Sequence, residues 1–241
     1  MQDDHPLTMQ AWISDIADRL DIILDDLKVR QLTDYIRLLL DWNKRINLTA
    51  VLDDEGIAVR HLLDSMTLLP YLGTNCSLID VGTGAGFPGL PLKIVRPDLS
   101  VTLLDSLAKR VKFLDAVIAE LQLQDISTRH GRAEEAARLP GLRQQFDIAT
   151  ARAVAALPVL CEYCLPFVRT GGVFLAMKGQ NSENWQDSRR SIKILGGELA
   201  DIREFDLPGT DMKRTILTVR KIAPTPPAYP RKAGKPEREP L

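Results

Sequence analysis

Apolar residues recur through Ile13, Ile16, Ala17, Leu20, Ile23, Leu24 and Leu27 at the spacing of one helix face. Leu32, Tyr35, Ile36, Leu39 and Leu40 repeat the pattern and predict a second helix ending around 42–49. A third is predicted from Asp54 to Leu69. Beyond residue 77 short apolar runs alternate with helical stretches. Strands are predicted at 77–81, 101–105, 126–130, 146–151, 173–177, 198–207 and 214–221. Helices are predicted over Leu107–Leu121, from Val154 to about Val168, and from Ser182 to Leu195. Such alternation predicts an α/β fold with a mainly parallel, doubly wound sheet of seven strands. The turn at 208–211 joins the last two strands into an antiparallel hairpin at one edge. Three regions follow: a helical N-terminal cap (1–70), a sheet domain (71–222) and a C-terminal tail (223–241).

The first strand, Leu78–Val81, runs directly into Gly82, Gly84 and Gly86, with Pro88 at the start of the following helix. Glycines at a strand-to-helix turn let backbone approach a ligand, and a helix start offers free N–H groups. Two cofactor patterns fit. Gly84-x-Gly86-x-x-Gly89 matches the dinucleotide fingerprint. Asp80-x-Gly82-x-Gly84-x-Gly86 matches the acid-plus-glycines loop of S-adenosyl-L-methionine (SAM)-dependent methyltransferases. The phase favours the second: with Gly82 as the first turn glycine, a third dinucleotide glycine belongs at position 87, which is Phe87. A purely structural turn is disfavoured, because three glycines weaken a fold unless something comes close.

Ligands of open α/β sheets bind beyond the carboxyl ends of the strands. The second strand ends in Asp105, 23 positions after Gly82, where a carboxylate can accept from both ribose hydroxyls or brace the turn at Ser106. The third is followed by Gly131-Arg132-Ala133-Glu134-Glu135, the fourth ends at Arg152 and the fifth at Lys178-Gly179-Gln180. The cap carries Lys44, Arg45, Arg60 and His61 as recognition candidates, although a structural, hydrogen-bonded role suits His61. Cys161 and Cys164 sit within a helical pattern with no second cysteine pair, which suits core packing rather than zinc.

Composition narrows the classes. With 241 residues, 45% of them hydrophobic, the chain can build one large domain with a full core. A net charge of −1 advertises no nucleic acid, so any basic surface is local. Three cysteines fit a reducing, cytoplasmic setting. No stretch is long and apolar enough to span a membrane, and the acidic start lacks the order of a signal peptide. In 223–241 six prolines interleave with Arg231, Lys232, Lys235 and Arg238. That composition reads as a solvated, flexible tail, or as an extended basic arm along RNA phosphates.

Several stretches together resemble the RsmG (GidB) family of bacterial 16S rRNA guanine-N7 methyltransferases. They are Asn47–Thr49, Arg60-His61-Leu62-Leu63-Asp64-Ser65, Leu78 through Gly89 with its Phe-Pro-Gly extension, and Leu103 through Leu114. The likeness continues through Gly131–Glu135, Thr150-Ala151-Arg152-Ala153, Met177–Gln180 and the tail from Tyr229 to Pro236. It implies a Rossmann-like class I methyltransferase fold and SAM as cofactor. It also implies cofactor roles for Gly82, Phe87, Ala133, Glu134 and Arg152, with Phe87 alternatively a core contact under the turn. Asp105 as ribose ligand follows from the general methyltransferase pattern. The implied target is N7 of a guanine in the 530 loop of 16S rRNA, as naked RNA, in the 30S subunit or in an assembly intermediate. That N7 carries a free lone pair, so no general base is required. An Arg bidentate to O6 and N7 would block the attacking lone pair, which assigns Arg152 to the cofactor carboxylate or an RNA phosphate. Lys178 is a phosphate candidate, or a solvated strand-end lysine. Lys44, Arg45, Arg231, Lys232 and Lys235 are the RNA-binding candidates, and a monomer is expected. Two other readings stand beside this one: an NAD-dependent small oxidoreductase using Gly84, Gly86 and Gly89, and a non-catalytic nucleotide- or RNA-binding module.

Overall fold

A computed structural model describes residues 8–152, 155–179 and 185–241. Seven strands form one sheet: β1 (Ser77–Val81), β2 (Ser100–Asp105), β3 (Ile126–His130), β4 (Phe146–Arg152), β5 (Val168–Lys178), β6 (Gly197–Asp206) and β7 (Lys213–Lys221). Their order is β3-β2-β1-β4-β5-β7-β6. β1 pairs in parallel with both β2 and β4, so the winding reverses at its carboxyl end, the place where open sheets bind ligands. β7 is antiparallel to both β5 and β6. The last hairpin thus docks through its second strand, with β6 at the edge.

The pleat divides the core. Leu78, Leu103 and Leu175 belong to the layer containing the N-terminal helices. Ile79, Val81 and Ala149 belong to the opposite layer, against the helix Leu157–Cys164. Cys161 and Cys164 are fully buried thiols in that layer.

Several predicted elements differ in instructive ways. The periodicity through Leu27 breaks after α1 (Met9–Leu20): Asp21 turns left-handed and Asp25 caps α2 (Asp26–Asn43) through the Lys28 N–H at 2.9 Å. Ile23 is left 93% exposed between them. The third helix covers 54–66, but Ala58–Leu63 is wound as a π-helix, a form frequent at functional sites. β5 begins at Val168 rather than Val173, with a register shift against β4 between Phe146 and Ile148. A Cβ on Gly172 would lie 2.4 Å from the Asp147 carbonyl oxygen, so the Gly171-Gly172 pair is an irregularity inside the strand. The helix predicted over 154–168 is shorter, Leu157–Cys164 with a 3-10 turn Leu165–Phe167. Of the stretch 182–195, the described part is a 3-10 turn, Trp185–Ser188, and a helix, Arg189–Ile194. Ala153, Val154, Gln180 and 182–184 lie outside the described residues.

The tail is not a free arm. Its extended backbone has few partners of its own, and two arginines supply them. Arg143 donates to the Thr225 carbonyl at 2.8 Å and the Tyr229 carbonyl at 2.9 Å. Arg138 donates to the Ala228 and Pro230 carbonyls. Thr225, Pro230 and Pro236 are buried. Among the described residues no helix is long and apolar enough to cross a membrane.

Candidate functional site: a cofactor groove beside a basic cleft

Gly82, Gly84 and Gly86 all have positive φ, at 72°, 63° and 102°, a backbone region that only glycine enters without strain. The loop is held from several sides. Fully buried Asp80 accepts from the Thr83 hydroxyl at 2.6 Å and the Gly89 N–H at 2.9 Å. A Cβ on Gly89 would lie 2.4 Å from Leu103 Cδ2, which explains the glycine beyond the usual motif. From the cap, fully buried Tyr35 donates its hydroxyl to the Ala85 carbonyl at 2.6 Å. The helical cap is therefore part of the loop's support; Tyr35 in sequence reads only as a core position.

Asp80 has one feature that its neighbours leave unresolved. Its Oδ1 is buried with no hydrogen-bond partner. Burial, opposed by the Thr83 and Gly89 bonds, pushes its carboxyl up to about 6. A buried orphan acceptor of this kind suits a donor or cation supplied by a ligand.

Beyond β1 and β2 a groove is lined by Gly82, Asp105, Ala133 and Glu134, with Tyr163 and Glu237 on its rim. The structure brings together four residues predicted separately from the sequence. Asp105 accepts from Gly84 N–H at 2.9 Å through one oxygen and from Leu107 N–H at 2.8 Å through the other. It therefore does brace the Ser106 turn; the oxygen that takes Gly84 also accepts from Arg110 at 3.4 Å, and the other keeps a second lone pair for a ribose hydroxyl. A Cβ on Gly131, which also lines the groove, would meet open space. The glycine loop, the acid after β2 and the orphan oxygen of Asp80 together fit the adenosine and amino-acid ends of SAM.

The second half of the site is a cleft lined by Arg60, His61, Asp64, Arg152, Lys178 and Arg214. Its four arginine and lysine side chains face one carboxylate, a surplus of three positive charges with neutral His61. Asp64 is nearly buried between Arg152, at 3.1 Å, and Arg214, at 2.9 Å. Arg152 also donates to the Arg60 carbonyl at 2.9 Å and reaches His61 Nδ1 at 3.3 Å. The π-wound turn thus presents Arg60, His61 and Asp64 to a single guanidinium. Burial and the Arg152 charge lower His61 to about 4. Its Nδ1 lies between the Arg152 guanidinium at 3.3 Å and the Arg60 carbonyl at 3.1 Å, and its Nε2 is hydrogen-bonded to Thr49 Oγ1 at 2.8 Å.

Phe87 joins the halves. It is 5% exposed, stacks on His61 at 4.6 Å and lies under Arg152, whose Cζ is 5.2 Å from the ring centroid. Its ring is a core contact and at the same time the spacer between loop and cleft. Lys178 lines the cleft and donates to the Ala155 carbonyl at 2.7 Å. Lys44 and Arg45 are exposed at the end of α2, each 3.5–3.6 Å from Asp41. Lys232 and Lys235 are exposed, with Lys235 3.6 Å from Glu239. Arg231 corrects the expectation of a basic arm. Its guanidinium and backbone N–H are bound to Glu162, a carboxylate 1% exposed, at 2.6–3.0 Å. Asp64, Arg214, Tyr163 and Glu237 were not singled out from the sequence, because their roles depend on contacts with residues far along the chain.

The family model described as GidB, rRNA small subunit methyltransferase G, matches residues 28–213. A protein of Acetivibrio thermocellus named Ribosomal RNA small subunit methyltransferase G is 50% identical over 99% of this chain and 99% of its own. One of the same name from Alkaliphilus metalliredigens is 47% identical over 95% and 97%. A solved SAM-dependent methyltransferase from Aquifex aeolicus superposes with a TM-score of 0.51 at 15% identity, covering 70% of this chain and 94% of that one. That likeness supports the fold, a class I methyltransferase sheet. The chain belongs to the GidB family of rRNA small subunit methyltransferases.

Proposed function

We propose that the protein transfers a methyl group from SAM to N7 of a guanine in the 530 loop of 16S rRNA. The observation that carries this reading is the junction of the two half-sites. An acid-and-glycine groove suited to SAM adjoins a cleft with surplus positive charge, and Phe87 and Arg152 connect them. The cofactor supplies an electrophilic methyl group, so the protein needs no nucleophile of its own. Guanine N7 attacks with a free lone pair, and the cleft offers no general base in need of assignment: His61 is fixed between Thr49 and Arg152. The residues therefore bind and orient, which by itself can lower a bimolecular barrier substantially.

On this reading Asp105 holds the ribose and Asp80 receives the amino group of the cofactor. Arg60, Lys178 and Arg214 take phosphates of the RNA strand. Arg152, tied to Asp64 and packed over Phe87, aligns the RNA cleft with the cofactor loop. The oxidoreductase alternative would need its third glycine where Phe87 is buried. The protein works in the bacterial cytoplasm as a monomer, on 16S rRNA within the 30S subunit or its assembly intermediate. An RNA carrying 7-deazaguanosine at the target tests the attacking atom. It should bind like the natural RNA and accept no methyl group; methylation of that RNA would exclude N7 as the acceptor.

A further inference from the structure

The tail does more than cover apolar surface. It is attached to the two elements that flank the cofactor groove. Arg231 is bound to Glu162 of the helix Leu157–Cys164. The Gly234 N–H donates to Glu134 Oε1, beyond β3, at 2.9 Å. Between these anchors the chain carries Glu237 to the groove, where the Tyr163 hydroxyl donates to its Oε1 at 3.1 Å. The other carboxylate oxygen makes no hydrogen bond among the described residues. Burial and the neighbouring Glu134 and Glu237 carboxylates raise Tyr163 further above its usual range, so the phenol stays a donor.

The chemistry of the occupant narrows what Glu237 can do. An adenosine moiety has three hydrogen-bonding donor groups: two ribose hydroxyls and the exocyclic amine of adenine. Asp105 is placed for the hydroxyls. Glu134, only 3% exposed, already receives the Gly234 N–H. Glu237 lines the same groove with an acceptor-only group. We propose that the C-terminal segment 229–241 forms a wall of the cofactor site and that Glu237 accepts the amine of adenine. This rests on reading the groove as the SAM site. It assigns the tail to cofactor selection, whereas a basic arm would act on RNA.

Isothermal titration without RNA tests it, using S-adenosylhomocysteine and its inosine counterpart, in which a carbonyl oxygen replaces the amine. The proteins are the full chain, a chain ending at Gly234, and full chains with Glu237→Ala or Glu237→Gln. Ending at Gly234 keeps both anchors and removes the wall. The full chain should prefer S-adenosylhomocysteine. The truncation and Glu237→Ala should each weaken its binding about tenfold or more, the scale of a hydrogen bond to a charged group. The preference over the inosine ligand should fall towards one in Glu237→Ala and only partly in Glu237→Gln. Unchanged affinity and preference in the variants would overturn the proposal while leaving the cofactor site intact. If the full chain binds neither ligand, the cofactor assignment fails and the proposal falls with it. Glu237 is exposed, so its point variants keep the test valid even if the shortened chain is unstable.

Discussion

Replacing Arg231 with Ala should destabilise the protein sharply, although Arg231 sits in a proline-rich surface tail. Glu162 is 1% exposed in the helix Leu157–Cys164, and its side-chain partners are the guanidinium and backbone N–H of Arg231. The variant leaves a buried carboxylate with one backbone N–H. Breaking a buried ion pair from one side costs about 3–5 kcal/mol. In a chain of this size each kcal/mol lowers the melting temperature by about 2–4 °C, so a fall of roughly 6–20 °C is expected. Calorimetry and urea titration at pH 7 measure it. The double variant Arg231→Met/Glu162→Met removes both charges and should recover most of the loss, because apolar replacement of a whole buried pair is often neutral. The opposite pattern would refute the reasoning: an unchanged melting temperature in Arg231→Ala, with methylation that is weaker and falls less steeply with salt. That would return Arg231 to RNA phosphates.

Cofactor affinity should depend on pH through Asp80. Its carboxyl is raised to about 6, and a cofactor ammonium near its orphan oxygen favours the ionised form. Binding of S-adenosylhomocysteine should therefore weaken as pH falls through about 6, and Asp80→Asn should flatten the profile; a flat profile in the parent protein contradicts the assignment. Stability of the ligand-free protein is a poorer readout. Raising Asp80 removes stability as pH rises from about 4 to 6, whereas lowering His61 to about 4 adds stability as pH rises from about 4 to 6.5, so the two oppose. Gly89→Ala places a Cβ 2.4 Å from Leu103 Cδ2 and 3.0 Å from Asp80 Oδ2. Overpacking of this kind costs about 1–3 kcal/mol, and the variant should lose cofactor affinity in the same titration. Arg152→Lys cannot reach Arg60, His61 and Asp64 together. Its kcat/KM for RNA methylation should drop by roughly a hundredfold or more, as for a broken buried pair; parent-like turnover would remove Arg152 from the alignment of the two half-sites.

The parts that could be read from sequence are those where local pattern and tertiary environment agree. Leu78–Val81 is apolar because both faces of β1 are covered, and the glycines after it are required by positive φ. Asp105, Ala133 and Glu134 were placed by the rule that strand ends hold ligands, and they do line one groove. The failures have non-local causes. The polar composition of the tail gave no sign of its anchors, because Arg138, Arg143 and Glu162 lie far back in the chain. The π-wound turn over Ala58–Leu63 keeps an ordinary helical apolar pattern, and its reason appears only when Arg152 reaches across to it. Asp64 stood within a quoted motif, yet its partnership with Arg214 joins residues 150 apart in the chain.

The central claim is tested most directly with SAM carrying a labelled methyl group and 30S subunits from cells that lack this modification. The account predicts label in 16S rRNA, with strand scission at a single guanine of the 530 loop after chemistry specific for N7-methylguanine. Label at another atom or another nucleotide would contradict the proposed target. No label at all, from a protein that binds S-adenosylhomocysteine, would contradict its substrate.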